Sequence, residues 1–95
     1  MELNDIQPLV GEQFAVPSDV EGEPFVLLNL CSAELSGKGH AGRAEPFSLI
    51  FEGPSSSPLS QGSYRLSNAN LGEQDIFVVP ISDDGTNRQY QAIFN

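Results

Sequence analysis

Pro46-Phe47-Ser48-Leu49-Ile50-Phe51-Glu52 alternates along its length, with Phe47, Leu49 and Phe51 on one side of an extended chain and Ser48, Ile50 and Glu52 on the other. That period predicts a strand with one face in a core and the other mostly wet. It is followed by Gly53-Pro54-Ser55-Ser56-Ser57-Pro58-Leu59-Ser60-Gln61-Gly62, which suits neither a helix nor a ladder, so residues 53–62 read as a loop with Leu59 pinning it to the core.

The same alternation continues toward the C-terminus. Residues 63–68 form a strand that sends Tyr64 and Leu66 inward, and Asn68-Ala69-Asn70-Leu71-Gly72 closes it as a turn. Asp75-Ile76-Phe77-Val78-Val79-Pro80-Ile81 is apolar on both faces, which predicts a strand covered on both sides, while Pro80 demands an edge, a bulge or the strand end. Asp84-Gly85 marks a hairpin turn within residues 82–87, and residues 88–95 return with Tyr90, Ala92 and Phe94 on one face.

Toward the N-terminus, residues 25–35 are the longest strand candidate and begin as a continuous apolar run, again the pattern of a strand covered on both sides. Ser36-Gly37-Lys38-Gly39-His40-Ala41-Gly42 is nearly free of apolar residues and predicts a mobile, candidate functional loop. Residues 17–24 read as a turn and residues 13–16 as a strand. Leu3, Ile6, Leu9 and Val10 are close to helical spacing, which predicts one short helical turn with Asn4 or Asp5 as N-cap. Together these elements predict a single all-β domain over residues 1–95, a small antiparallel barrel or sandwich of about six strands with a short N-terminal helical turn. Both a meander and a Greek key fit, and closure into a barrel would remove exposed edges.

Thirteen acidic against four basic side chains give a net charge of −9. Glu2, Asp5, Glu12, Asp19, Glu21, Glu23 and Glu34 all precede the first base, Lys38, so the acidity is concentrated in the first third. Such a chain repels a phosphate backbone, so nucleic acid and anionic membranes are not expected partners, whereas a basic protein surface is compatible. The opening Met1-Glu2-Leu3-Asn4-Asp5 lacks the basic and apolar regions of a secretory signal, and no run approaches the roughly 18 apolar residues of a membrane span. A cytoplasmic location without membrane insertion is expected, with signal-independent export left open.

Catalytic chemistry finds little to build on. The single histidine, His40, lies in the glycine-rich loop, and the single cysteine, Cys31, sits in an apolar run without a cluster of bases to lower its pKa, reading as a small hydrophobe. One His and one Cys do not make a structural zinc site, and Asp83, Asp84 and Asn87 miss the spacing of a calcium loop. Gly37-Lys38-Gly39 lacks the glycine spacing and the Ser or Thr of a phosphate loop. Glu45, Glu52, Glu73 and Asp75 sit in no informative motif. No catalytic residue, cofactor or metal is therefore expected, and the six Phe residues, at alternate positions, read as core.

Read in order, Phe47-x-Leu49-x-Phe51-x-Gly53-Pro54, Leu59-x-Gln61-Gly62-x-Tyr64-x-Leu66, Leu71-Gly72, residues 77–81 and Tyr90-x-Ala92-x-Phe94-Asn95, with the Pro8-Leu9-Val10-Gly11 opening, resemble a family of small bacterial domains of about this length that carry only a domain-of-unknown-function label. The family brings no activity or catalytic residues to transfer. The resemblance implies an association with tail-collar-like bacterial surface proteins or phage-derived proteins.

The first functional expectation is a non-enzymatic acidic interaction or assembly module that binds another protein, within a bacterial appendage or phage-tail-like structure. The interaction loops expected of it are Lys38, His40 and Arg43 together with Asp83 and Asp84. The alternative is a small-ligand or enzymatic barrel using the mouth near His40 and Arg43 or the loop 53–62, which a polar-lined pocket would favour. A third expectation is a homo-oligomer through the last strand, residues 89–94, should that strand lie at an open edge.

Overall fold

A computed structural model describes residues 1–18, 22, 24–36 and 46–94. Its strands are β1 (Gln13–Pro17), β2 (Phe25–Leu35), β3 (Phe47–Pro54), β4 (Gly62–Asn68), β5 (Gly72–Asp83) and β6 (Asn87–Phe94). They close into one antiparallel barrel in the order β1-β2-β3-β6-β5-β4. Tight turns join β4 to β5 and β5 to β6, and β6 returns beside β3, so the topology is a Greek key and not a meander. The β3–β4 connection must therefore cross one end of the barrel, here called the upper end, where Pro17, Pro54 and Asp83 lie. Leu35, Phe47, Asn68 and Phe94 mark the lower end.

β3 and β6 pair without interruption from Phe47↔Phe94 to Pro54↔Asn87. Elsewhere the ladder shifts in two places, between Leu30 and Ser32 on β2 and between Pro80 and Ser82 on β5. The second shift falls where the Pro80 ring removes a ladder N–H, as its position in the sequence requires. Inward side chains fill the barrel: Phe14 meets Phe51 edge to face with centroids 5.4 Å apart, and Leu28, Leu49, Val78 and Tyr90 are fully buried around them. A short helix α1 (Leu3–Ile6) and a 3₁₀ turn (Gln7–Leu9) add Ile6 and Leu9 to this core, tied to β2 by Gly11 N–H to the Leu30 carbonyl at 2.8 Å and Leu30 N–H to the Glu12 carbonyl at 3.0 Å.

Several expectations are corrected. The N-cap is Glu2, not Asn4 or Asp5; Asp5 instead reaches back to accept the Glu2 N–H at 2.8 Å. β3 runs on through Gly53 and Pro54 into what read as loop. β2 and β5 are not covered on both sides, because a barrel has one interior: Phe25, Leu27, Phe77 and Ile81 point outward and are exposed. The Phe residues accordingly divide, with Phe14, Phe47 and Phe51 buried, Phe94 half-buried and stacked on Phe47, and Phe25 and Phe77 outside. Cys31 is exposed rather than buried. The last strand is not an edge, since β6 pairs with β3 on one side and β5 on the other. Among the described residues no helix is long and apolar enough to cross a membrane.

Candidate functional site

Lys38, His40 and Arg43 lie outside the described residues. The strand ends that flank their segment, Leu35 and Phe47, are at the lower end of the barrel, whereas Asp83 and Asp84 are at the upper end. Asp83 and Asp84 build the β5–β6 turn. The Asp83 carboxylate accepts from the Ser55 hydroxyl at 2.6 Å, the Gly85 N–H at 2.8 Å and Arg88 at 3.5 Å; the Asp84 carboxylate accepts from the N–H groups of Thr86 at 2.9 Å and Asn87 at 2.7 Å. The Ser55 hydroxyl and then the Gly85 N–H hold the Asp83 carboxyl below the usual range, and the Asn87 and Thr86 N–H groups do the same for Asp84. Gly85, at φ +89°, supplies the left-handed residue that the turn needs.

The 55–61 connection is strapped over the upper end. Tyr90, fully buried, accepts the Leu59 N–H on its hydroxyl oxygen at 2.9 Å, Arg88 donates to the Leu59 carbonyl at 3.5 Å, and Tyr64 donates its hydroxyl to the Ser60 carbonyl at 2.7 Å. Leu59 itself joins the core, as its lone apolar character in that loop predicts. Between this strap and the start of β2 lies a cavity of about 230 Å³ lined by Ser18, Val26, Ser57, Leu59, Ser60 and Tyr64, among others. It contains hydroxyls but no charged group among the described residues, and it is smaller than the ~300–1,000 Å³ of typical small-molecule sites.

The outer wall of β3, β6 and β5 has a different character. Ile50 of β3 lies level with Gln91 of β6 and Val79 of β5. Two residues below this level on their own strands, Phe77 of β5 and Ile93 of β6 are 51% and 58% exposed. Ile50 and Val79 thus flank Gln91 on the outside of the barrel, with Ile93 and Phe77 below it on β6 and β5. Above them a hollow of about 230 Å³ is lined by Glu52, Ser82, Asp83, Asp84, Asn87 and Gln89. Glu52 carries its charge close enough to Cys31 that, after desolvation, it is the second cause of that thiol's raised pKa, so Cys31 is a weakly reactive thiol in spite of its exposure. No group of three or more His, Cys, Asp or Glu placed to hold a metal ion occurs among the described residues.

Sequence reading missed this wall because alternation alone does not say which neighbours register will supply. Ile50, Val79 and Ile93 belong to separate segments and become one surface only through the Greek-key return of β6 beside β3. The visible signal was the two-sided apolar character of β5.

A small Greek-key barrel with a filled interior, a strapped upper end and an apolar outer wall is the class of protein these features define. Across residues 1–94 the chain matches the family model described as Domain of unknown function (DUF6916), and it belongs to that family. Comparison with curated proteins and with solved structures finds no match.

Proposed function

We propose that this chain is a non-enzymatic, acidic protein-interaction or assembly module. The observation that supports it is the division of apolar side chains: the interior is closed by packing, while large apolar groups that need no outward placement for folding stand on the outer wall beside carboxylates. Singly exposed apolar residues are ordinary, but neighbours on adjacent strands are the pattern of a binding face. A role in a bacterial appendage or phage-tail-like structure is the form of this reading that the sequence resemblance suggests.

The test is affinity capture with the tagged protein from a lysate of the source organism, followed by mass spectrometry and light scattering. A stoichiometric protein partner, released by salt, is the expected result; a protein that elutes alone and monomeric removes this reading. The small-ligand reading is favoured by one feature, the hydroxyl-lined cavity beneath the 55–61 strap. A compound that raises the melting temperature of the wild type but not of a Tyr64→Ala variant would support it.

A further inference from the structure

We propose that the outer wall of β3, β6 and β5 docks a cationic amphipathic helix of a partner protein, an inference that rests on the interaction-module reading. The mode of docking follows from the pairing. β3 is bonded to β2 and β6, and β6 to β3 and β5, so the centre of the wall offers side chains and no free backbone edge. Strand addition is therefore closed here, and the partner must seat side chains on side chains, as a helix does with an apolar stripe.

The width of the face suits one helix. Ser48 of β3 pairs with Glu34 of β2 on one side and Ile93 of β6 on the other, so Glu34 borders the apolar field there. Asp75, two residues along β5 from Phe77, lies toward the lower end of that strand and is paired with Arg65 of β4. β3, β6 and β5 span two strand spacings, about 10 Å at about 4.8 Å each, close to a helix diameter of about 10–12 Å. The length also fits, since the eight residues of β3 extend about 26 Å at about 3.3 Å each.

Charge selects the occupant. The β2 flank and the hollow are acidic, through Glu34, Glu52, Asp83 and Asp84. The described arginines are already engaged: Arg65 bonds Asp75 at 3.1 Å and Glu73 at 3.3 Å, and Arg88 bonds Asp83 at 3.5 Å. A second copy of this chain would set carboxylate against carboxylate across the interface. Lysines or arginines flanking an apolar stripe would instead meet Glu34, and one such side chain reaches the Glu52 hollow.

The experiment uses the full chain and a fluorescein-labelled helical peptide of about 18 residues, about 27 Å long, with leucines on one stripe and lysines on its flanks. A matched peptide carries glutamate in place of lysine. Anisotropy titration is expected to show saturable binding of the lysine peptide only. Phe77→Ser with Ile93→Ser should weaken it by about tenfold or more, equivalent to about 1.4 kcal/mol, and Glu52→Lys should weaken it while flattening its salt dependence. Both substituted sites are outside the core, and Phe25→Ser at the upper end of β2, where it pairs with Pro17 of β1, is the control that should leave binding unchanged.

Equal binding of the two peptides, no binding of either, or loss caused by Phe25→Ser overturns the proposal. So does a wild-type dimer that Phe77→Ser with Ile93→Ser converts to monomer, because the wall is then covered by a second copy. The broader reading fails separately: captured partner retained by the wall variant refutes this surface and leaves the interaction module standing, whereas absence of any captured partner removes the module itself.

Discussion

Gly53 occupies an inward position of β3 where a Cβ would come within 2.5 Å of Leu28 Cδ2. Leu28 is fully buried, so moving that methyl requires the core around it to repack. Gly53→Ala should therefore destabilise the fold by about 1–3 kcal/mol through overpacking, read as a lower urea midpoint with unchanged slope. A neutral result would mean that the β2–β3 contact relaxes freely. In sequence this glycine, followed by Pro54, has the look of a strand terminator. Its real constraint is the leucine across the ladder, which only the β2–β3 register reveals.

The β3–β4 connection illustrates how much of an irregular element rests on a few bonds to β6. Tyr90→Phe leaves the Leu59 N–H buried without its acceptor, at a cost of about 1–3 kcal/mol. Because the bond anchors the strap, hydrogen exchange should quicken at residues 57–61 beyond what the global loss explains; uniform quickening would show that the strap opens only with the whole barrel. The β5–β6 turn adds a pH dependence. Asp84 titrates below its ordinary value of about 3.9 because two backbone N–H groups hold its charged form, the Asn87 N–H first. Its contribution is complete above the unfolded-state pKa and drains as pH falls through the lower folded one. Asp84→Asn retains an acceptor oxygen without a charge, so its melting temperature should fall less than the wild type's between pH 5 and pH 2, and parallel curves would refute this. The strands, the pinning role of Leu59 and the Gly85 turn were legible because each follows from local pattern. Strand order and the outward fate of Phe25, Leu27, Phe77 and Ile81 were not, since an apolar residue at an alternating position looks the same whether its face meets a core or water.

Closure of all six strands makes the molecule one cooperative unit, and its net charge of −9 acts on that unit as a whole. The candidate wall escaped the sequence for the same reason: it exists only after closure gathers three distant segments. Folding gathers Asp5 of α1 and Glu34 of β2 onto one small barrel with Glu52 of β3 and Glu73, Asp75 and Asp83 of β5, so the native state carries more like-charge repulsion than the expanded chain does. Salt screens such repulsion over a Debye length of about 10 Å at 0.1 M. It also screens the favourable Arg65 pairs with Glu73 and Asp75, but these are more than 60% exposed on every side chain and of the kind worth little. The repulsive part should dominate. Raising sodium chloride from about 0.02 M to about 0.3 M, which shortens the Debye length severalfold, is therefore expected to raise the melting temperature by a few degrees, the shift that about 1 kcal/mol produces in a domain of this size. The Arg65→Ala variant should show at least as large a rise, because it removes a cation that offsets the repulsion. A melting temperature that falls with salt would mean that the Arg65 and Arg88 pairs, not the net charge, set the electrostatic balance of the barrel.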